Sequence, residues 1–227
     1  MGSRRQICKN WGKSIPNASV STPPNEAADV VVIADADMAG HLEVVEAHHR
    51  FSGVEFKGKA WDLSHLDAFA LRIDPGLGFA IDVVVLFSCH CFTRSHKQDG
   101  RPLHAVPDDE RFDNGRESRV LCNSRYELSR RFLPWLIKEL PHRTIQFAGT
   151  DPLNFITLEE LDSSGEVERH YAVFFEVRRD NRRRKRLLLH VQSAYELTEL
   201  TIRQSKAKKV KFPTLLRAAY EGRKLRG

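Results

Sequence analysis

Three runs of strand-forming residues within "NFITLEELDSSGEVERHYAVFFEVRRDNRRRKRLLLHVQSAYEL", Asn154 to Leu197, constrain this chain more than any other feature. Val, Ile, Phe, Tyr and Leu dominate each run, and they suit a pleated, half-buried surface. The joints are Ser163-Ser164-Gly165 and the Asn181 to Lys185 tip. Joints that short turn the chain straight back, which is how an antiparallel meander is written. Alternation puts Tyr171, Val173, Phe175 and Val177 on an apolar side, with Ala172, Phe174, Glu176 and Arg178 opposite. In the next run Leu187, Leu189, Val191, Ser193 and Tyr195 alternate with Leu188, His190, Gln192 and Ala194.

A second β signal lies upstream in "AFALRIDPGLGFAIDVVVLFSCHCFTR". Two β-rich runs enclose Asp74-Pro75-Gly76, whose proline presets φ and whose glycine tolerates the positive value, so the segment reads as a hairpin. Continued as one extended strand, it places Val83, Val85, Phe87, Cys89 and Cys91 on one face, and Val84, Leu86, Ser88, His90, Phe92 and Arg94 on the other. Around it, "VEFKGKAW" reads as a short strand pair about Gly58 and "LSHL" as a single helical turn. A strand-like triplet after Asp29 runs into a helix over about 37–49. The spacing of "NSRYELSRRFLPWLIKEL" predicts a helix starting at Asn123 or Ser124, with a kink or break at Pro134. Residues 95 to 123 read as a long polar loop, and 210–212 as a strand before a helix opening at Pro213.

These elements sum to an α+β fold: a twisted antiparallel sheet, made of the hairpin and the C-terminal meander, with one or two helices packed on a face. Residues 1–28, rich in Ser, Pro and Asn, read as a disordered or loosely docked N-terminal arm. Residues 29–227 are expected to form a single α+β domain with a basic C-terminal segment, 178–227. The apolar runs are strand-sized and flanked by charge, so no membrane association is expected. The N-terminus lacks the apolar core of a secretory signal, and four cysteines at this length are few, so the expected location is cytoplasmic with reduced thiols.

The net charge of +6 conceals an asymmetry, because residues 178–227 hold 16 Lys and Arg against 4 Asp and Glu. A cationic block of that density supplies phosphate contacts, which makes nucleic acid, RNA in particular, the favoured partner. The candidate contact residues are Arg182, Arg183, Arg184, Lys185 and Arg186 at the hairpin tip, with Arg203, Lys206, Lys208, Lys209 and Lys211 beyond it.

The C-x-C pair Cys89 and Cys91 lacks the usual structural-zinc spacing and reads as buried packing sulfur, so neither metal nor cofactor is expected. The chain has no G-x-x-x-x-G-K-[ST], G-x-G-x-x-G or H-E-x-x-H motif. Ser193 follows no nucleophile elbow. His90 and Arg94, together with the meander's Glu176 and Arg178, are the candidate catalytic residues read from the strands. An exposed face with an acid, arginines and an imidazole carries what metal-free phosphodiester cleavage requires: a base, an acid and a cation for the developing charge. The reading is therefore an RNA-directed metal-independent endoribonuclease or toxin-like effector. The alternative is a non-catalytic module that binds nucleic acid or an acidic partner.

The strand "YAVFFEV", the basic tip "RRDNRRRKR" and the strand "LLLHVQSAY" resemble the closing strands of the barnase-like and mRNA-interferase toxin fold. That resemblance implies metal-independent ribonuclease activity, with Ser193 as a catalytic residue near the scissile phosphate, Arg178 or another meander arginine stabilising it, and His90 or Glu176 as acid or base; a neighbouring inhibitory protein is a further partner to look for. The segments "WDLSHL", "VLFSCHCFTRS", "SRYELSRRFLP" and "YAVFFEV" also resemble an uncharacterised bacterial family, which implies no mechanism.

Overall fold

The computed structural model describes residues 31–33, 51–148, 154–161 and 169–225; the N-terminal arm and the 37–49 helix lie outside them. Its centre is an eight-stranded sheet made of β1 (Val31–Ile33), β4 (Phe69–Ile73), β5 (Ile81–Phe87), β12 (Arg186–Leu197), β11 (Arg169–Arg179), β10 (Asn154–Leu161), β9 (Thr144–Phe147) and β13 (Lys209–Lys211), in that spatial order. The β4–β5 hairpin and the β10–β11–β12 meander form as the turn chemistry predicts. Asp74 Oδ1 accepts the backbone N–H groups of Gly76 and Leu77, fixing the first turn. The antiparallel expectation fails at one seam, because β12 pairs with β5 in parallel from Arg186–Asp82 to Val191–Phe87.

The small hairpin β2 (Val54–Phe56) and β3 (Lys59–Trp61) turns at Lys57-Gly58, where both φ values are positive, as a tight hairpin turn demands. "LSHL" forms the expected single 3₁₀ turn. The 95–123 segment is structured rather than a loop. Helix α1 (His96–Asp99), β7 (Arg111–Asp113) and β8 (Ser118–Leu121) occupy it, and the two strands, with β6 (Thr93–Arg94) just upstream, supply a second sheet in the order β6, β8, β7. Its polar composition hides local satisfaction of the backbone. Ser95 and Gln98 build a reciprocal cap on α1, and Asp113 and Asn114 side chains accept N–H groups of the β7–β8 turn.

Helix α2 (Asn123–Glu139) runs through Pro134 without a break. A proline there forfeits a hydrogen bond and costs about 3 kcal/mol. The fully buried Leu133, Leu136 and Ile137 hold both sides of it to the core and outweigh that cost. Helix α4 (Phe212–Glu221) follows the short α3 (Ile202–Ser205) and β13. Phe132 of α2 meets Tyr171 and Phe212 of α4 meets Phe175, so both long helices cover the apolar face predicted for β11. The opposite face carries a smaller apolar cluster, Ala68, Ala70, Val84 and Leu86 with Leu188, and then turns polar toward the C-terminal end of β12.

Candidate functional site

Two local irregularities build this polar region. Strand β5 ends at Phe87, and Cys89–Cys91 form a 3₁₀ turn, so the alternation expected through Arg94 stops seven residues early. Ser88 drives the change: its hydroxyl accepts from His90 N and donates to Gln192 O at 2.6 Å, and its N–H reaches Val191 O. The second irregularity faces it. Phe174 pairs with Ser193 and Phe175 with Val191, which leaves Gln192 as the extra residue of a β-bulge. The bulge moves Ser193 and Tyr195 onto the side of His190 and sends Ala194 into the core, reversing the faces that strict alternation assigns them. Tyr195 then stacks on Phe174 at 5.3 Å.

His90 Nε2–H donates to Glu117 Oε1 at 2.8 Å. Glu117 is held in turn: Asn114 Oδ1 accepts its backbone N–H, and Arg119 Nη1 donates to its second oxygen at 2.9 Å. Burial alone would raise the Glu117 carboxyl, but the bonds from His90 and Arg119 outweigh it and hold the group below the ordinary carboxylate range. Cys89 Sγ lies 3.9 Å from Glu117 Oε1 and accepts from Asn114 Nδ2 at 3.4 Å. On the sheet, His190 stands directly across the ladder from Glu176, with Nδ1 3.7 Å from the carboxylate. Burial pushes the His190 pKa down; Glu176 opposes this, while the charges of Arg178 and His90 add to it. His90, His190, Glu176 and Arg178 therefore belong to one electrostatic neighbourhood, and Ser193 shares its face of the sheet.

Arg94 does not join them. The turn at 89–91 redirects the chain, and Arg94 binds Asp99 in an ion chain that continues through Arg101 and Glu110 to Lys57. These residues line a separate polar cleft of about 520 Å³ beside the start of α2. The hydrogen bond from Arg101, followed by the charge of Arg94, holds the Asp99 carboxyl below its usual range.

The cationic block also divides. Arg182, Arg183, Arg184 and Lys185 are exposed at the β11–β12 tip, with the Lys185 ammonium over the Phe79 ring at 4.6 Å. Arg186 is buried and bonds the buried Asp180 through two nitrogens, a structural role instead of a nucleic-acid contact. Lys206, Lys208, Lys209 and Lys211 are exposed around β13, the outer edge strand, which three other strands separate from β12; the Arg203 side chain is outside the described set. At roughly 3.3 Å per strand residue, the four steps of β12 from Arg186 to His190 put the base of the tip roughly 13 Å from that histidine. One continuous groove does not collect all these cations.

Sequence reasoning missed Glu117, Asn114 and the participation of Cys89. Glu117 sits 27 residues from His90 in a turn. No periodicity connects the two. Arg125 was missed as well: buried at the start of α2, it donates to the carbonyls of His90 and Thr93 and lies 4.7 Å over the Tyr195 ring. His65 has a packing role, bonded to the buried Ser129 hydroxyl at 2.9 Å.

A family model described as the YjaZ family matches residues 53–220, a span that includes both histidines and both carboxylates. Protein YjaZ of Escherichia coli (strain K12) is 34% identical over 134 residues, which cover 58% of this chain and 66% of that protein. The alignment thus spans slightly less than two thirds of the relative. No solved structure matches, and the resemblance of the closing strands to barnase-like toxins finds no support. The resemblance to a bacterial family does.

Proposed function

The chain belongs to the YjaZ family, and we propose that it is a metal-independent endoribonuclease whose acid and base are the two imidazoles. The observation that carries this reading is the pairing of each histidine with its own carboxylate, His90 with Glu117 and His190 with Glu176, close enough for one imidazole's charge to bear on the other. Cleavage of RNA through its 2′-hydroxyl needs one group to take a proton and another to give one. The lowered pKa suits His190 to the neutral base. It removes the 2′-hydroxyl proton as the 2′-oxygen attacks phosphorus. His90, held at Nε2 by Glu117 and acting as the imidazolium, gives its Nδ1 proton to the departing 5′-oxygen, leaving a 2′,3′-cyclic phosphate. Arg178, exposed next to His190, supplies positive charge for the phosphorane, and Ser193 a hydroxyl on the same face. Arg182 to Arg184 extend the contact toward the substrate's flank.

Total RNA incubated with the protein in excess chelator tests the proposal. Cleavage is expected, falling about 10²-fold or more in His90→Gln or His190→Gln with the fold intact. Intact RNA, or cleavage indifferent to both substitutions, refutes it. The second reading is a non-catalytic module, favoured by the exposed arginine tip. Under it, RNA binding survives both histidine variants but weakens when Arg182 to Arg184 are replaced, with an affinity that falls steeply as salt rises.

A further inference from the structure

We propose that Cys89, His90 and Glu117 form a site for a thiophilic divalent cation, zinc being the natural fit. Cys89 Sγ, His90 Nε2 and a Glu117 carboxylate oxygen all lie within 4.8 Å of one another. Tetrahedral zinc, with bonds of about 2.0–2.3 Å, brings such ligands to roughly 3.3–3.8 Å apart. The Cys89–Glu117 separation of 3.9 Å already approaches that span, while the 2.8 Å His90–Glu117 pair opens slightly as its hydrogen bond is exchanged for two metal bonds. A thiolate, an imidazole and a carboxylate together select zinc over magnesium or calcium, which prefer all-oxygen shells.

The surroundings are those of a supported site. Asn114 fixes the turn that carries Glu117 through its Oδ1 and reaches Cys89 Sγ through its Nδ2. Arg119 holds the carboxylate oxygen that does not face His90. Cys91, two residues on, belongs to the core and is fully buried, so the C-x-C pair contributes one ligand and not two. With three protein ligands the fourth position is open to water. Binding releases the Cys89 thiol proton and leaves the neutral His90 ring with its proton on Nδ1.

The inference needs only these three groups. Its functional consequence does rest on the acid–base reading: a cation on Nε2 takes the place of one ring proton, so His90 is no longer the imidazolium that gives up a proton from Nδ1, and zinc is an inhibitor of RNA cleavage.

Cobalt(II) titration of the reduced full-length chain is the test, because a thiolate–cobalt charge-transfer band reports binding without any activity assay. The expected result is a band saturating at one cobalt per chain, bleached by zinc, absent in Cys89→Ser and retained in Cys122→Ser. Glu117→Gln, a change at an exposed residue, weakens it, and Asn114→Ala lowers affinity by roughly 10–100-fold. No band, or one unaffected by Cys89→Ser and Glu117→Gln, overturns the site. A band without RNA cleavage in chelator overturns the acid–base reading alone.

Discussion

Replacing Arg186 by Met leaves Asp180 charged in a place built for two charges. The side chains are 7% and 5% exposed, and two guanidinium nitrogens of Arg186 converge on one Asp180 oxygen. The other oxygen accepts the N–H of Arg182 at 2.9 Å, and Asp180 N bonds Arg186 O, so the pair clamps the base of the β11–β12 tip. Exposed ion pairs contribute about 0.2–1 kcal/mol. Breaking a buried one by removing a single partner costs about 3–5 kcal/mol, since the remaining charge is stranded. At roughly 2–4 °C per kcal/mol for a chain of this size, Tm falls by roughly 6–20 °C. Urea denaturation followed by tryptophan fluorescence reads the effect as a lower midpoint with an unchanged slope. Arg183→Met, three residues away in the same cationic run but exposed, is the matched control and shifts the midpoint by no more than about 0.5 kcal/mol. Adding Asp180→Asn to Arg186→Met recovers much of the loss, because no charge is then buried alone. Equal midpoints for Arg186→Met and Arg183→Met would show that the cluster is one solvated patch, and the division of the cationic block would be wrong.

Stability is also expected to depend on pH through His190. Its folded pKa lies below the unfolded value of 6.5, so the unfolded chain binds the extra proton first; stability is complete above 6.5 and declines as pH falls below it. His190→Gln flattens that part of a midpoint-against-pH curve, and an unchanged slope would contradict the assignment. Cys91 is fully buried and its thiol is pushed up to about 12 by burial, so it resists alkylation at pH 8 in the folded protein and reacts only as urea unfolds the chain, as mass spectrometry of modified peptides will show. Arg94→Gln, which breaks the Asp99 ion chain, lowers the denaturation midpoint but leaves RNA cleavage within about twofold, since Arg94 stands apart from the two imidazoles. A loss of cleavage without loss of stability would return Arg94 to the site.

The sheet was legible because its residues report on two things at once, apolar period and turn chemistry. Asp74-Pro75-Gly76 and the Asn181 to Lys185 tip each name a reversal, and the runs on either side pair as they must. The site was legible only as ingredients. Glu176, Arg178 and Ser193 share one face of the sheet, and a 3₁₀ turn at Cys89–Cys91 and a bulge at Gln192, joined by a bond between Ser88 and Gln192 across 104 positions, set where His90 and Ser193 lie. Period-2 reasoning has no access to a contact of that span. For the same reason it extended β5 through Arg94 and left Glu117 in a loop. The structured character of 95–123 escaped notice because caps and Asx turns satisfy its backbone with the very residues that signal irregular chain.

The parallel seam between β5 and β12 has a bearing on how the molecule comes into being. Among the described residues it is the one ladder that fastens the upstream hairpin to the downstream meander, and its partners, Asp82 and Arg186 at one end, are about a hundred positions apart. Local pieces close early; an encounter over that distance closes late. One histidine travels with each piece. On a ribosome the emerging polypeptide therefore holds its two histidines on separate pieces until the strand Arg186–Leu197 has emerged and docked against Ile81–Phe87.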